Sequence, residues 1–400
     1  MRPMPRLTPA IAGALALLSL AQIPSSGAAR AAAPPVQPAD GPGGLGDKAA
    51  AIAKRVVGAP GSDAYVFHKA GAAPSEGRPV AVFLHAWGAP NPQGYGAWID
   101  HLARNGWLVV FPRFQEVNRT RPADATANAE RALKDVLGAL AADAEAKPDA
   151  GRVALIGHLA GVPLAANLAA AGGGDGMPAA RLVFGVMPGG IAHDAKSRGI
   201  ALADLARIPA DTILVTVVGD RDARAAEAAA RRILRDASGV RPERKLFLRA
   251  LSDDHGFPAL TATLAAPAGL DAAYDGGAIK GAPETTAATA TKTSGPKPAG
   301  PAASGPKPAP FKWSPDMALT GEQTTLVSQI NNARADSLDY LAFWRTFDMA
   351  AAAAFGGRDA QSLRNDARFS DMQRWSDGWP VKRLTVETPK PAVSPPSVQR

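Results

Sequence analysis

Three segments of this chain hold residues whose types could do chemistry, and each follows an apolar run. The turn GHLAG, residues 157–161, follows VALI, Asp222 follows TILVTVV, and His255 follows KLFLRAL. A carboxylate and an imidazole are groups that general acid–base catalysis uses. A nucleophile would complete the set, but the centre of the turn is Leu159, whose side chain cannot form a covalent intermediate. The first question is therefore whether this turn serves a reaction at all.

Apolar runs and helical patterns alternate along the chain and predict the elements that position these segments. The predicted strands are AYVFH, PVAVFLHAWG, WLVVFP, VALIG, RLVFGV, TILVTVVGD and KLFLRAL, and the predicted helices between them are AWIDHLARNG, ATANAERALKDVLGALAADA, VPLAANLAAA and ARAAEAAARRILRDA. Continuous apolar strands that alternate with helices indicate a mostly parallel sheet covered on both faces. Function in such a sheet lies at the carboxyl ends of the strands, which is where the three segments fall.

The order of these segments resembles the α/β-hydrolase superfamily. VALIGHLAG has the strand–turn–helix layout of a G-x-S-x-G nucleophile elbow. The acid candidate follows it by about sixty residues and the histidine follows the acid by about thirty, in the superfamily's order. FLHAWGAPNPQGYGAWIDHLARNG and SLDYLAFWRTFDMAAAAAFGG look like the oxyanion strand with its helix and the closing helix of the small-lid branch, which includes dienelactone-hydrolase-like, chlorophyllase-like and cutinase-like esterases. The resemblance covers roughly residues 63–260 and 336–385 and implies the α/β-hydrolase fold.

The resemblance assigns a role to each residue of the three segments. His255 matches the catalytic histidine, and Asp222 matches the acid that orients the imidazole and stabilises its charged form. Asp220 is the alternative acid, although the G-x-x-D pattern favours Asp222. Leu159 occupies the position of the nucleophile, which is therefore degenerate.

A fourth segment, after PVAVFL, matches the oxyanion loop of the family. The backbone N–H groups of Trp87 and Ala160 would stabilise an oxyanion, the Trp87 indole would line the pocket, and His85 would hold the loop. The family usually has glycine where this chain has Ala86, whose methyl group can tilt the donor. One such donor is worth about 3–4 kcal/mol.

Leu159 leaves two classes of function open. In the first, the chain is an esterase-like pseudoenzyme, catalytically impaired, that binds a small acyl ester or another ligand. In the second, it is an active carboxylic ester hydrolase that uses a relocated nucleophile or a water activated by His255 and Asp222.

No residue has a sequence context that relocates the nucleophile. His158, Ser197 and Ser252 are the candidates, and nothing in the sequence places any of them near an oxyanion hole. Two further interpretations remain open: a single-base lesion from serine to leucine in an active esterase, and an elbow that is a chance resemblance.

Composition and motifs indicate no cofactor and no nucleic acid. His68, His101 and His193 share no metal-ligand spacing. No strand is followed by G-x-G-x-x-G, and no G-x-x-x-x-G-K-[ST] occurs, so nucleotide cofactors lack their phosphate loops. The formal charge of +8 is scattered, without a basic run interleaved with aromatic residues.

The N-terminal residues have the pattern of a bacterial signal peptide. MRPMPR is basic, AIAGALALLSLA is apolar and shorter than the ~20 residues that a bilayer requires, and SSGAARAAA offers small residues for cleavage after Ala28 or Ala31. The chain contains no cysteine, which excludes a lipoprotein anchor, disulfides and thiol catalysis. We therefore expect a periplasmic or secreted protein without a transmembrane anchor after cleavage.

Composition also predicts the organisation of the chain. The predicted parts are a signal peptide (1–31), a flexible leader (32–62), an α/β-hydrolase core (63–265), a disordered Pro/Gly/Ala-rich insertion (266–312), the closing helix and C-terminal segment of the same domain (313–385), and a disordered tail (386–400). The insertion repeats SGPKPA and has almost nothing to bury. Because residues 189–211 offer little material for a lid, we expect an open, shallow mouth that suits acyl esters. Trp375 and Trp379 are expected to seal the edge of the sheet.

Overall fold

A nine-stranded sheet forms the centre of the structure, a computed structural model that describes residues 31–174, 176–194, 196–221, 223–280, 314–319 and 323–389. The strand order is β1-β2-β4-β3-β5-β6-β7-β8-β9. The strands are Ile52–Val57 (β1), Ala64–Lys69 (β2), Arg78–Leu84 (β3), Leu108–Pro112 (β4), Pro148–His158 (β5), Leu182–Val186 (β6), Ile213–Val218 (β7), Lys245–Arg249 (β8) and Thr385–Glu387 (β9).

The sheet is parallel from β4 through β8 and antiparallel at both edges. β3 pairs in parallel with β4 and β5, and β5 to β8 continue in parallel. β2 is antiparallel to β1 and β4, and β9 is antiparallel to β8. The seven predicted strands are confirmed, because strands buried on both faces appear in the sequence as unbroken apolar runs.

The helices connect the strands as the alternation predicts. The α-helices are Gly96–Arg104 (α1), Ala125–Leu140 (α2), Gly161–Ala171 (α3), Arg224–Asp236 (α4), Gln323–Asn332 (α5), Arg345–Phe355 (α6), Gln361–Arg364 (α7) and Ala367–Ser370 (α8), and a π-helical turn, Asp339–Trp344, leads into α6. Short 3-10 turns lie at Pro92–Tyr95, Pro122–Asp124, Leu205–Arg207, Pro242–Arg244, Ala272–Tyr274 and Pro315–Met317. No helix in these described ranges is long and apolar enough to cross a bilayer.

Helices cover both faces of the sheet, as two adjacent residues of β6 demonstrate. The ring of Phe184 lies 6.2 Å from that of Trp98 in α1 and 5.6 Å from that of Phe347 in α6. The next residue, Gly185, lies against Val162 of α3, with no room for a Cβ. Successive residues of a strand point to opposite faces, so α1 and α6 cover one face and α3 the other.

The predicted flexible leader, residues 32–62, is instead bonded to the body of the domain. The backbone N–H of Ala33 donates to Ser376 Oγ at 2.8 Å, and the carbonyl of Pro35 accepts from Ser337 Oγ at 2.7 Å. The same range contains β1, which pairs with β2 along its whole length. Backbone groups carry most of these contacts, so the composition of the segment gives no sign of them.

The predicted disordered insertion is ordered in its first part. Tyr274 is buried and its hydroxyl donates to Asp100 Oδ1 of α1 at 2.6 Å. The backbone N–H of Asp271 donates to the carbonyl of Gln93 at 2.9 Å. An aromatic anchor and backbone hydrogen bonds hold residues 266–280 against α1 and the 3-10 turn before it. β9 likewise begins at the end of the predicted C-terminal segment and includes the first residues of the predicted tail. Residues 1–30, 281–313 and 390–400, which hold the rest of the predicted signal peptide, insertion and tail, lie outside the described residues.

Candidate active site

The turn after β5 has the backbone of a nucleophile elbow, with Leu159 at its apex. Leu159 has φ of 51°, in the left-handed region that a leucine rarely adopts. A Cβ at Gly157 would lie 2.5 Å from the carbonyl oxygen of Gly161, and one at Gly161 would lie 2.6 Å from the carbonyl carbon of Leu84. Both glycines are therefore required for the strand, the turn and the helix to close on one another. The elbow is present, and its apex has no nucleophile.

Leu159 is fixed by backbone hydrogen bonds to the end of β6 and to the loop that follows it. Its N–H donates to the carbonyl of Val186 at 3.0 Å, and its carbonyl accepts from Gly189 N–H at 3.2 Å. The side chain is 9% exposed, and a Cβ at Gly189 would lie 3.6 Å from Leu159 Cδ2. The apex therefore presents a methyl group toward the loop after β6, where a hydrolase would present an oxygen.

The two predicted oxyanion donors have no acceptor among the described residues. Neither the N–H of Trp87 nor that of Ala160 is paired there, although both residues are buried. The neighbouring N–H groups are paired: Gly88 donates to Gln115 Oε1 at 2.8 Å, and Ala86 donates to the Tyr95 hydroxyl at 3.1 Å. Two unpaired N–H groups at these positions can donate to a ligand's carbonyl oxygen.

His158 and His85 are buried side chains that support the loops. His158 Nε2 lies 2.8 Å from the carbonyl of Leu264 and must donate, so Nδ1 accepts from the Tyr95 hydroxyl at 2.8 Å. His85 Nδ1 donates to the carbonyl of Ala86 at 2.8 Å, and its ring stacks on Phe114 at 4.2 Å. Burial lowers the pKa of each histidine to about 4. Both are therefore neutral at pH 7 and carry no proton to a substrate.

His255 is paired with a residue that the sequence did not indicate. Its Nε2 lies 2.7 Å from Asp377 Oδ2, and its ring stacks on Trp379 with centroids 5.5 Å apart and planes at 14°. A backbone hydrogen bond from Trp379 and the side-chain bond from His255 lower the pKa of Asp377. His255 is about one-third exposed, so water reaches this pair.

The loops after β7 and β8 are bonded to each other. Ser252 Oγ donates to Asp220 Oδ1 at 2.5 Å and accepts from Ala262 N–H at 3.0 Å. Burial of Asp253 raises its pKa, but hydrogen bonds from the backbone N–H groups of Lys382 and His255 lower that pKa below the usual range. Ser252 therefore has a structural role, and Asp220 accepts the hydrogen bond that joins the loop after β7 to the loop after β8. The predicted acid, Asp222, lies outside the described residues.

Leu319 and the α5 residue Val327 lie over the loops beside the elbow, so the mouth is not open on this side. A Cβ at Gly190 would lie 3.0 Å from Leu319 Cδ1 and 3.3 Å from the Cβ of Ala160. A Cβ at Gly88, in the oxyanion loop, would lie 3.0 Å from Val327 Cγ2 of α5. The expectation of an open mouth considered only residues 189–211, whereas the cover comes from a segment more than a hundred residues later.

Sequence reasoning missed Asp377 and misplaced Trp379. The Asp-Gly pair in SDGW is a turn signal, but nothing local connects this turn with His255. Trp375 is buried as expected, whereas Trp379 is 60% exposed and does not seal the sheet. Of the other predicted candidates, Ser197 is a surface side chain that accepts from His193 N–H at 2.8 Å. The described residues contain no group of three or more side chains that could hold a metal ion.

The chain is similar in fold to several esterases of known structure. No family model and no curated protein matches it. A thermostable esterase from Pseudomonas putida is 19% identical, covers 50% of this chain and 73% of its own, and has a TM-score of 0.40. Carboxyl esterase 2 from the mycorrhizal fungus Tuber melanosporum is 14% identical, with 52% and 79% covered and a TM-score of 0.39. One of two fungal esterases from Rhizomucor miehei is 15% identical, with 50% and 75% covered and a TM-score of 0.39.

These similarities concern the fold alone, and the activity of the chain depends on its own residues. Its fold follows from its own architecture: a mostly parallel nine-stranded sheet, helices on both faces, and a closed strand–turn–helix elbow at a carboxyl strand end. These features give the chain an α/β-hydrolase fold.

Proposed function

We propose that this chain is an exported hydrolase relative that binds a small acyl ester or a similar carbonyl ligand and forms no acyl intermediate. The observation that carries the proposal is the position of Leu159, at the apex of the elbow with φ of 51°. A leucine in this backbone region costs on the order of 1–3 kcal/mol and persists only where the surrounding structure imposes it. An ordinary strand–helix connection does not require a leucine in this strained conformation. The strain therefore supports the interpretation that the turn derives from a nucleophile elbow and is not a chance resemblance to one.

The chemistry of the ligand follows from what surrounds the apex. The unpaired N–H groups of Trp87 and Ala160 offer two donors to a carbonyl oxygen. Leu159 and Leu319, which both lie against the loop after β6, offer apolar contact. Hydrogen-bond donors beside apolar side chains are typical of sites for neutral carbonyl compounds. Such a site binds an ester without a group that can attack it.

The site histidine supports the same proposal. His255 Nε2, the nitrogen that would face a nucleophile in a triad, is bonded to Asp377 instead. The pair is exposed to solvent, so it restrains the imidazole weakly. Export is supported by the order of basic, apolar and small residues in 1–31 and by the absence of cysteine.

Leu159→Ser, with Leu159→Ala as matched control, tests the missing nucleophile. Both substitutions remove the leucine side chain, but only serine adds a hydroxyl that a histidine can activate. Each protein is incubated with a fluorophosphonate and its intact mass is measured, and hydrolysis of p-nitrophenyl acetate is followed in parallel. We expect no adduct on wild type or Leu159→Ala, and one adduct, at residue 159, on Leu159→Ser.

Two further variants assign the roles around the serine. Adding His255→Ala to Leu159→Ser should abolish the adduct, and adding Asp377→Ala should speed labelling about 2- to 5-fold, because it frees the imidazole from a weak pair. A phosphonate adduct on wild type would contradict the proposal. An unlabelled Leu159→Ser protein that is folded would show that the elbow and His255 do not form one site.

A second candidate function is weak, water-mediated ester hydrolysis. It is favoured by the His255–Asp377 contact of 2.7 Å, which gives a solvent-accessible imidazole a carboxylate partner. A site without its nucleophile can retain about 10³-fold acceleration over water. In this case wild type hydrolyses the ester without any adduct, and His255→Ala and Asp377→Asn both reduce the rate. Equal rates in all three proteins exclude this candidate.

A further inference from the structure

A cavity of about 250 Å³ lies at the edge of the sheet where β2 begins and β4 ends. Ala64 of β2 pairs with Pro112 of β4, so the residues just before β2 lie beside those just after β4. Both segments line the cavity, together with Asn128 and Arg131 of α2. β4 belongs to the parallel part of the sheet, and ligands of such sheets bind outside the carboxyl ends of the strands. The cavity is therefore in a position that is typical of a binding site.

Gln115 lines this cavity with a carboxamide that uses only one of its two polar atoms. The residue is 5% exposed, and its Oε1 accepts from the backbone N–H of Gly88 at 2.8 Å. Because that N–H requires an oxygen as its acceptor, the orientation of the carboxamide is determined and Nε2 is the remaining atom. Nε2 has no hydrogen-bond partner among the described residues, and it is accessible from the cavity. Its two N–H groups can therefore donate to a ligand.

Asp63 supplies the complementary group in the same cavity. It is 4% exposed, and its Oδ2 accepts from Arg113 Nη1. Its Oδ1 has no hydrogen-bond partner in the described part of the chain and is likewise accessible from the cavity. An acceptor on a buried side chain is unfavourable unless water or a ligand supplies a donor. The cavity therefore offers one free acceptor and two free donors, on side chains that are otherwise fixed.

The charges that line the cavity balance one another. Arg113 and Arg131 contribute two positive charges, which the carboxylates of Asp63 and Glu116 offset. Arg131 is also bonded, since its Nη2 donates to Asn128 Oδ1 at 2.8 Å. A site without net charge favours a neutral ligand over an anion or a cation. A hydroxyl group both donates and accepts, so compounds with several hydroxyl groups match the free donors and the free acceptor together.

We propose that this cavity binds a neutral polyol, a sugar or a sugar alcohol, whose hydroxyl groups accept from Gln115 Nε2 and donate to Asp63 Oδ1. A water molecule takes up about 30 Å³ in the liquid, so the cavity has room for about eight. Ligand hydroxyl groups can replace such waters because they reproduce the same hydrogen bonds. The site shares no residue with the elbow or with His255, so it does not depend on the function proposed for them.

Saturation-transfer NMR of the purified protein with glycerol, xylitol and D-glucose tests the site. We expect wild type to transfer saturation to at least one of the three, and titration of that polyol gives its Kd. The compound with the lowest Kd shows whether the cavity prefers an open chain or a ring. The fully O-methylated form of the same polyol can accept hydrogen bonds but cannot donate to Asp63, so it should bind at least about tenfold more weakly.

Two substitutions each reverse one of the free groups and keep the contact that fixes the side chain. Gln115→Glu keeps an oxygen for Gly88 but replaces the free donor by an acceptor. Asp63→Asn keeps an oxygen for Arg113 but replaces the free acceptor by a donor. Each should weaken binding of the polyol about tenfold, because one ligand hydroxyl group then faces a group of the wrong kind.

Glu116→Gln is the matched control, because it removes the same charge from the same cavity as Asp63→Asn. The Glu116 side chain is 69% exposed and paired with Arg119, so the Kd should change less than about twofold. The proposal is wrong if none of the three polyols binds wild type, since the cavity then holds water alone. It is also wrong if Gln115→Glu or Asp63→Asn, when folded, binds the polyol as strongly as wild type. Equal binding of the O-methylated compound would overturn it as well, and that comparison requires only the wild-type protein.

Discussion

The closure of the elbow can be tested without any reaction, by adding one methyl group to Gly161. The Cβ of an alanine there would lie 2.6 Å from the carbonyl carbon of Leu84 and 3.1 Å from the carbonyl oxygen of His85, and closer still to the carbonyl oxygen of Leu84. All three atoms belong to the backbone at the end of β3, so no side chain can rotate away. Either α3 or the central strand must move.

The expected magnitude follows from comparison with Gly138. Gly138 lies inside α2, and a Cβ there would have no neighbour within 4 Å. Alanine at such a position stabilises a helix by about 0.5–1 kcal/mol. Forcing a methyl group into a close-packed site costs about 1–3 kcal/mol, and more where only backbone can yield. We therefore expect the two variants to differ by about 1.5–4 kcal/mol in the free energy of unfolding, and by more if the backbone cannot yield.

Urea unfolding of wild type, Gly138→Ala and Gly161→Ala measures this difference. Gly138→Ala should be slightly more stable than wild type, and Gly161→Ala should be markedly less stable or fail to fold. Equal stability of Gly161→Ala and wild type would refute the reasoning, because α3 would then not lie against Leu84 and the turn would not be an elbow. A loss of stability in Gly138→Ala would show instead that the α2 environment is wrong.

Three further outcomes are expected. The free energy of unfolding should be largest above pH 6.5 and should fall as the pH drops toward 4, by on the order of 3 kcal/mol for each of His85 and His158. The reason is that their folded pKa of about 4 lies below the unfolded value, so the unfolded chain binds more protons in this pH range. His158→Gln should reduce the dependence of the unfolding free energy on pH by about half. Deletion of residues 286–308 should leave the Tm nearly unchanged, since that stretch has few apolar groups, and a fall of more than about 5 °C would show that it packs on the body. In a Gram-negative host the mature protein should begin near Ala29 or Ala32, and Met1 on a cytosolic product would contradict export.

The core of the fold was predictable because it rests on local pattern. Strands that are buried on both faces must be apolar throughout, so each appears as a continuous run in the sequence. The elbow was predictable for a similar reason, since Gly157 and Gly161 are the residues that a closed strand–turn–helix joint tolerates. The degenerate nucleophile position, Leu159, is also read directly from the sequence.

The surroundings of the site were not predictable in this way. Ala33 is hydrogen-bonded to Ser376, and Asp271 to Gln93, through backbone groups that leave no mark on composition. A low apolar content therefore predicted disorder for segments that pack by hydrogen bonds and a single aromatic anchor, Tyr274.

Local sequence pattern predicted the parallel sheet and the strand–turn–helix layout of the elbow, and Leu159 at its centre is read directly from the sequence. The pairing of His255 with Asp377, 122 residues away in the chain, depends on the tertiary structure, as does the burial of Arg345 Nε and Nη2 without an acceptor among the described residues. The physical reason is the range of the interactions. Periodicity and glycine placement reflect the constraints of each residue's own backbone, whereas the partner of a charged side chain depends on which distant segments the completed sheet brings to the same edge.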